Sequence, residues 1–439
     1  MAGRHLRKGP PPPKRKAPPK IPPKLAGGPK GVLFVHSNFP GQFRDMAETL
    51  RDRGERIAAI GAHTAPGVEG VAIAKWKSER GSTKDIFRPA TRAEADMIRG
   101  RAALEAAMKL KDGGFYPDLI VGHPGWGETL YLRMIWPEAK VILFGEYYYH
   151  PFGSDIDFDT ELDKPDFEKS LVGYAKNATM GMTYSEADAI VCPTPFQAAT
   201  LPKNVQHVVH LIHEGVDTDK ASPNPDATLT LPDGRVLDRS TPVITHVNRH
   251  MEPMRGIHPF LRALPKALAA VPEAEVVVIG NAASSGYGAK APDGGTWRDY
   301  FLKEIGNKLD LSRVHFLGRT SHDTMISALQ ISAAHVYYTY PFVLSWSLLE
   351  AMACECLVLA SDTPPVHDAI EDGVNGIMHD FFDPAALSRS IIEACREPEK
   401  FEPIRRAARR SVVERFDRKL GRPAWLELID EVRSRETAA

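Results

Sequence analysis

The sequence lacks a long hydrophobic run, a rich cysteine content and an excess of charge of one sign. No run of about 18 apolar residues occurs, so we expect no membrane-spanning helix. The spacing of the four cysteines, which are Cys192, Cys354, Cys356 and Cys395, matches neither a disulfide framework nor a zinc ribbon. This spacing favours a reducing compartment, and Cys354 and Cys356, which are separated by a single residue, are interpreted as packing residues.

Three catalytic motifs are also missing from the sequence. It contains no G-x-x-x-x-G-K-[ST] phosphate loop, no H-E-x-x-H zinc motif and no G-x-S-x-G nucleophile elbow. The segment Gly286-Tyr-Gly288 resembles part of the glycine-rich motif that binds dinucleotides. Proline and glycine follow it, however, at the position where that motif requires a helix to begin. A dehydrogenase is therefore not expected.

The net charge of −1 hides a division of the chain. Residues 1–30 hold nine Lys or Arg, nine of the 36 prolines and no acidic residue, which predicts a disordered basic tail. The other residues carry 46 basic and 56 acidic side chains, a charge of −10, so we expect no nucleic-acid partner. The tail is interpreted either as a solubilising segment or as a contact with anionic lipid. Without an apolar segment behind the basic residues it is no secretory signal, and we expect a cytoplasmic protein, peripheral at the inner face of the membrane if the tail binds lipid.

Behind the tail, buried-strand patterns alternate with helical patterns in two series, residues 31–213 and 243–402. Residues 214–242 are rich in Asp, Pro, Thr and Gly, which predicts an interdomain connection with a small hairpin. Residues 403–439 are predicted to form a charged helical segment. The alternation predicts an α/β fold with two doubly wound parallel sheets facing across a cleft, and ligands at the carboxyl ends of the strands.

The segment from Tyr340 to Cys354 is predicted to run from a strand through a loop into a helix. The start of such a helix, near residues 344–347, is suited to a diphosphate because its first N–H groups lack internal partners. Glu350 lies about one turn inside, where it would accept hydrogen bonds from a ribose. Alternatively, Ser347 and Glu350 form a capping box.

A second segment, Thr245 to Gly256, leaves the first strand of the second series. It carries Arg249 and Arg255 on one predicted loop. Two guanidinium groups at this spacing would converge on a diphosphate. The alternative is that both are surface arginines.

These two segments resemble glycosyltransferase family 4, whose members are retaining enzymes with the GT-B fold. The resemblance rests on Asn248-Arg249, Arg255-Gly256 and Glu350-Ala-Met-Ala353. The last matches the second half of the family's E-x7-E motif, whereas Phe342 stands where the first Glu belongs. Further segments are similar to family loops: His36–Phe43, Val121–Glu128, His315–Arg319, Ser361–Val366 and Asp372–Gly376.

The resemblance implies a set of site residues. Arg249, Arg255 and His123 would be catalytic, with His123 as a polar contact to the donor sugar. The donor-binding residues would be Gly41, Arg249, Arg255, Gly318, Arg319, Leu344, Ser345, Trp346 and Glu350.

The resemblance also implies a reaction. A sugar would pass from a nucleotide diphosphate-sugar to a saccharide or lipid-linked acceptor, in cell-surface polysaccharide or glycolipid synthesis. The acceptor would attack the face that the phosphate leaves, and no metal, cofactor or protein nucleophile is expected. The last helix would cross back to the first domain. Phe342 leaves two alternatives open: a nucleotide-sugar-binding protein without transfer activity, and a GT-B sugar-nucleotide epimerase.

The acceptor side is predicted from a cluster of tyrosines. Glu146, Tyr147 and Tyr148 follow a buried strand, and a segment with three aspartates, residues 155–159, comes next. Tyrosines beside a carboxylate suit a sugar by stacking and hydrogen bonding. The aspartates resemble a metal motif, but Thr160 replaces the glycine that a calcium loop needs. We therefore predict an acceptor-side loop, the alternative being a loop packed on its own domain.

Overall fold

The computed structural model describes residues 31–164, 166–282, 286 and 288–435. The predicted basic tail lies outside the described residues, as does part of the segment Gly286-Tyr-Gly288. Within the described residues no helix is both long and apolar enough to cross a bilayer. The four cysteines are buried free thiols, as their spacing predicted.

The first domain contains a seven-stranded parallel sheet in the order β3-β2-β1-β4-β5-β6-β7. Its central strands are continuous buried apolar runs because helices cover both faces of the sheet. The strands are β1 Gly31–Val35, β2 Arg56–Ala62, β3 Ala72–Trp76, β4 Leu119–Gly122, β5 Lys140–Phe144, β6 Ala189–Cys192 and β7 Val209–Leu211. The helices are α1 Arg44–Asp52, α2 Thr91–Asp112, α3 Phe167–Ala175, α4 Asn177–Tyr184 and α5 Pro195–Thr200.

The connection between the domains contains the predicted hairpin, formed by β8 Leu229–Thr230 and β9 Val236–Leu237. Leu229 and Leu237 are buried in a core shared with the second sheet. The connection is therefore packed as part of the second domain.

The second domain contains a six-stranded parallel sheet in the order β12-β11-β10-β13-β14-β15. The strands are β10 Val243–His250, β11 Glu275–Asn281, β12 Val314–Gly318, β13 Ser332–Tyr337, β14 Val358–Ser361 and β15 Ile377–His379. The helices are α6 Ile257–Ala270, α7 Trp297–Ile305, α8 His322–Gln330, α9 Trp346–Ala353, α10 Pro384–Arg396, α11 Glu402–Arg415 and α12 Arg418–Ser434.

In both sheets the strand order reverses beside the first strand, next to β1 and next to β10. A crevice opens at such a point, outside the carboxyl ends of the strands. The two predicted doubly wound parallel sheets are thus present, and their crevices are where ligands are expected.

The last helix, α12, lies against the first sheet. Trp425 and Ile429 are buried in the same core as Val32 and Phe34 of β1. The Arg433 guanidinium forms ion pairs with carboxylates that follow α1 and precede β4, those of Glu55 and Asp118 (2.9 and 3.1 Å). The second half of the chain therefore completes the core of the first domain.

Candidate functional site

A cavity of about 890 Å³ lies at the carboxyl ends of β10, β11 and β12, beside the start of α9. We call it the strand-end cavity. Arg44 of α1 also lines it, so the cavity belongs to the cleft between the domains. No side chain caps the amino end of α9, which favours an anion there. Six predicted donor-binding residues line it: Arg249, Gly318, Arg319, Ser345, Trp346 and Glu350.

Arg249 reaches the strand-end cavity from an irregularity in β10. The register between β10 and β11 shifts between Val247 and His250, and such bulges re-aim side chains. The Arg249 side chain is exposed and makes no ion pair or hydrogen bond within the part of the chain that is described. A guanidinium left in this state keeps all its donors for a diphosphate.

Arg255 is not among the residues that line the strand-end cavity, and its convergence with Arg249 on a diphosphate stays a prediction. Its Nη1 donates to Thr339 Oγ1 (3.1 Å) and to the carbonyl of Val343 (2.9 Å). The turn is held by Gly256 at φ +71°, where a Cβ would lie 2.2 Å from the Tyr338 side chain. This close approach turns Arg255 toward the loop before α9, and it braces that loop.

Glu350 faces the strand-end cavity and accepts from His322 Nε2 (2.6 Å). This hydrogen bond raises the pKa of His322. The capping-box alternative is wrong, because α9 begins at Trp346 with Ser345 as its N-cap residue. Glu350 is therefore not tied to the start of its own helix.

The residues that precede and open α9 have separate roles. Leu344 is packed against the core of the second domain and does not line the cavity. The backbone N–H of Ser345 donates to the Tyr337 hydroxyl (2.9 Å). Trp346 Nε1 donates to Glu214 Oε1 in the connection (2.7 Å).

His123 lies at the end of β4 in a small pocket of about 90 Å³, which we call the histidine pocket. Its Nδ1 accepts from the N–H of Gly125 (3.1 Å), so Nε2 carries the proton in the neutral ring. Nε2 lies 3.2 Å from Glu146 Oε2. Burial alone would raise the pKa of Glu146, but His123, His36 and Arg255 outweigh it and lower that pKa.

His36, which the sequence did not single out as a candidate, lies beside His123. Its ring lies 5.3 Å from that of His123, and burial, helped by His123, lowers the pKa of His36 to about 3. Gly41 has φ +49°, and a Cβ there would lie 2.6 Å from the His36 ring. Gly41 thus packs on His36 and does not line the strand-end cavity, because its turn folds back onto β1.

The histidine pocket and the strand-end cavity are linked through the segment before α1. Gln42 donates to Glu146 Oε1 (3.3 Å), and Arg44 lines the strand-end cavity. Glu128 is buried near this segment and accepts from the Ser37 hydroxyl, and burial raises its pKa. Like His36, Glu128 stands in a segment that the family resemblance singled out.

A third cavity, of about 450 Å³, lies between the domains, and we call it the interdomain cavity. Tyr149 and Phe342 line both this cavity and the histidine pocket. The Tyr147 ring stacks edge-on against Phe342, with 4.7 Å between centroids. Tyr148 packs near Tyr184 inside the first domain and lines neither space, so nothing in the structure supports its acceptor-side assignment, which stays a prediction.

The aspartate segment packs on the second domain. We call residues 153–164 the clasp. Tyr340 donates to Asp159 Oδ2 (2.6 Å), and His258 Nε2 lies 3.0 Å from the same oxygen. Glu161 pairs with both terminal nitrogens of Arg262 (2.9 and 2.5 Å). The alternative interpretation, a loop packed on its own domain, is therefore wrong for this part of the segment, and the acceptor-side role stays a prediction.

The aspartates of the clasp are engaged by protein groups. Asp155 accepts from the Tyr147 hydroxyl (2.9 Å), and Asp157 accepts from the N–H groups of Gly153 and Ser154. Among the described residues, no three His, Cys, Asp or Glu side chains are grouped so as to hold a metal ion.

Comparison with known proteins agrees with this architecture. Residues 53–221 match a family model described as "Glycosyl transferase family 4 group", and residues 233–411 match "Glycosyl transferases group 1". Among solved structures, sucrose-phosphate synthase from Thermosynechococcus elongatus superposes with a TM-score of 0.70 at 16% identity, over 92% of this chain and 99% of that one. The Anabaena protein HepE, solved with UDP-glucose, gives 0.62 at 14% identity, over 91% and 99%.

Curated relatives match shorter segments. A D-inositol 3-phosphate glycosyltransferase of Mycobacterium sp. (strain JLS) is 28% identical over 210 residues, which are 47% of this chain and 44% of that protein. A phosphatidyl-myo-inositol mannosyltransferase of Propionibacterium freudenreichii is 30% identical over 159 residues, 36% of each chain. The chain thus spans less than half the length of either relative. With both halves matched by family models and the two-sheet architecture in place, the chain belongs to glycosyltransferase family 4 and has the GT-B fold.

Proposed function

We propose that the protein transfers a glycosyl group from a nucleotide diphosphate-sugar to a hydroxyl acceptor, with retention and without a metal. One observation carries the proposal: the strand-end cavity, where the unpaired guanidinium of Arg249 and the uncapped start of α9 line the same space. Glu350 at its wall would accept from the ribose hydroxyls, and Gly318 and Arg319 would lie beside the base.

The proposed chemistry follows from where charge develops. As the glycosidic bond breaks, negative charge grows on the leaving diphosphate, and Arg249 with the start of α9 stabilises it. The acceptor hydroxyl attacks from the same face and gives its proton to the leaving phosphate oxygen, so no protein base is required. His123 Nε2–H would donate to the donor sugar. Arg255 would act indirectly, by bracing the loop at Val343.

The acceptor class rests on the relatives. Their names contain an inositol phosphate and a phosphatidylinositol. We therefore propose a saccharide, polyol or lipid-linked acceptor, used in glycolipid or cell-surface polysaccharide synthesis. The chain would work in the cytoplasm, and the tail of residues 1–30 would hold it at the membrane; its deletion should then reduce liposome binding.

A second candidate function is nucleotide-sugar binding without transfer. It is favoured by Phe342, because its ring packs on Tyr147 and approaches Arg255 (5.7 Å to the ring centroid), where the family has a carboxylate. This candidate predicts donor binding with no turnover under any condition.

The test is incubation with a panel of nucleotide sugars in EDTA, measuring nucleotide diphosphate release and sugar products. Slow release that falls at least tenfold in Glu350→Ala supports transfer. Binding without release, even with acceptors added, would support the second candidate. Conversion of one sugar nucleotide into another would indicate an epimerase and would contradict both candidate functions.

A further inference from the structure

Glu146 is a carboxylate of the histidine pocket to which the proposed reaction gives no role. It follows β5 and lines the pocket together with His123 of the same domain and Phe342 of the second domain. The Glu146 side chain is 28% exposed, whereas that of His123 is 3% exposed. Of this hydrogen-bonded pair, Glu146 is therefore the member that a ligand reaches more easily.

The first domain fixes the position of Glu146. Its backbone carbonyl accepts from Gln197 Nε2 (2.8 Å). In the carboxylate, Oε1 accepts from Gln42 Nε2 (3.3 Å), and Oε2 lies 3.2 Å from His123 Nε2. A carboxylate has about four acceptor positions, and both protein contacts are longer than an ordinary hydrogen bond to oxygen. At least one acceptor position on each oxygen therefore remains for a ligand.

The surroundings keep this carboxylate ionised. Burial favours the neutral form, but His123, His36 and Arg255 together lower the pKa of Glu146. An ionised carboxylate only accepts hydrogen bonds, and its bonds are stronger than those of a neutral acceptor. It also repels the oxygens of a diphosphate. On a nucleotide diphosphate-sugar, its partners are therefore hydroxyl groups.

Two parts of such a donor carry hydroxyl groups, the ribose and the transferred sugar. Glu350, which is proposed to accept from the ribose, lines the strand-end cavity. Glu146 instead lines the histidine pocket, beside the residue that is proposed to donate to the sugar, His123. A pocket of about 90 Å³ takes one hydroxyl-bearing edge of a sugar ring. The transferred sugar is therefore the part that meets Glu146.

Phe342 makes the place of Glu146 significant. The Phe342 ring stands where the family has a carboxylate, and it lines the same pocket as Glu146 from the opposite domain. Arg255 lies 5.7 Å from the centroid of that ring, and its charge also acts on Glu146. A carboxylate is thus present in this part of the cleft, but the first domain supplies it.

We propose that Glu146 is a specificity-determining residue for the donor, whose carboxylate accepts hydrogen bonds from hydroxyl groups of the transferred sugar in the histidine pocket and takes the place of the carboxylate that Phe342 replaces. The inference rests on the proposed function and adds to it the residue that recognises the sugar. It moves Glu146 from the predicted acceptor side to the donor. The sugar is then held by the first domain and the diphosphate by the second.

The test measures the binding of sugar nucleotides in the absence of any acceptor. Calorimetry on the full chain in EDTA compares UDP-glucose with UDP, ADP-glucose with ADP, and GDP-mannose with GDP. The affinity of a sugar nucleotide relative to its nucleoside diphosphate reports the contacts of the sugar. For the pair that binds most tightly, Glu146→Gln should weaken the sugar nucleotide about tenfold or more and leave the nucleoside diphosphate within about twofold of wild type.

The matched control is Glu128→Gln. Glu128 is a buried carboxylate of the same domain that lines none of the three cavities, and burial raises its pKa. Glutamine resembles the protonated carboxyl group that this burial favours, so both affinities should stay at the wild-type values. Unchanged binding of the nucleoside diphosphate to Glu146→Gln shows that its fold and strand-end cavity are intact. The inference is overturned if Glu146→Gln weakens both ligands equally or weakens neither.

Leaving out the acceptor separates the two roles considered for Glu146. If Glu146 holds the acceptor, Glu146→Gln leaves the affinity for the sugar nucleotide unchanged and raises only the KM of the acceptor, which would overturn the inference. A selective loss of sugar-nucleotide affinity in a chain without turnover would keep the inference and remove the transfer activity. If the wild-type chain binds neither sugar nucleotides nor nucleoside diphosphates, the proposed function fails, and this inference fails with it.

Discussion

The two sides of the cleft are built in different ways. The strand-end cavity is lined almost entirely by the second domain, with Arg44 as the contribution of the first. On the other side the clasp crosses from the first domain, packs the half-buried Phe158 on Tyr340 and buries Asp159 against it, and Tyr340 belongs to the loop that leads into α9. We infer that binding groups concentrate on the first side and interdomain stability on the second.

The largest effect is expected at the clasp. Asp159→Ala removes the acceptor of the buried Tyr340 hydroxyl and the partner of His258, and should lower the free energy of unfolding by about 3 kcal/mol. Urea unfolding measures this. Asp157→Ala, in the same segment but bonded only to backbone N–H groups, should cost about 1 kcal/mol. Equal losses in the two variants would contradict the role of the clasp.

The second effect is expected at Arg249. Arg249→Ala should lower kcat/KM for the donor about 100-fold, because a group that stabilises the developing charge is lost. Unfolding free energy should stay within about 0.5 kcal/mol of wild type, since the side chain is exposed and unpaired. Arg410→Ala, an exposed arginine on α11, is the control. A large loss of stability in Arg249→Ala would contradict the inference that the strand-end side serves binding and the clasp side serves stability.

The third effect depends on pH. The hydrogen bond to Glu350 raises the folded-state pKa of His322 above its ordinary value of 6.5. The pair therefore stabilises the fold fully below that value, and the gain is lost as the pH rises through the raised pKa. The stability difference between wild type and His322→Gln should be larger at about pH 5.5 than at about pH 8.5. Denaturant unfolding at both pH values checks this, and a difference that grows with pH would contradict the pairing.

The smallest effect is expected at Trp346. Trp346→Phe removes one half-exposed hydrogen bond, from Nε1 to Glu214, while keeping most of the ring. The free energy of unfolding should fall by less than about 1 kcal/mol, and thermal unfolding measures it. A larger loss would mean that the strand-end side also contributes strongly to the stability of the fold.

Sequence reasoning succeeded where the signal is local. Buried apolar runs alternating with helical patterns predicted two parallel sheets in residues 31–213 and 243–402, and the seven-stranded and six-stranded sheets lie in these ranges. The edge strands β3 and β7 carry no continuous buried run, because their residues are mostly exposed or half-buried, so such strands give a weak signal in the sequence. The bulge in β10 between Val247 and His250 depends on its pairing with β11 and has no such local signal.

The residues of the candidate site also fall into two groups: those whose position follows from the order of the strands, and those whose position depends on tertiary packing. Arg249, Arg319 and Glu350 come together because parallel strands end at one edge of a sheet, which the chain order already implies. The positions of Arg255 and Tyr148 depend on packing. The contact between Asp159 and Tyr340 joins residues that are 181 positions apart, so it cannot be predicted from the local sequence around either residue.

The packing of α12 on the first sheet has a consequence for the order in which the core of the first domain can form during synthesis. During synthesis the strands of the first sheet emerge hundreds of residues before Trp425 and Ile429, which cover part of their apolar face. The second domain emerges while that face is still exposed to water. The first domain is therefore synthesised before the second, but its hydrophobic core is complete only after α12, which follows the second domain, has been synthesised.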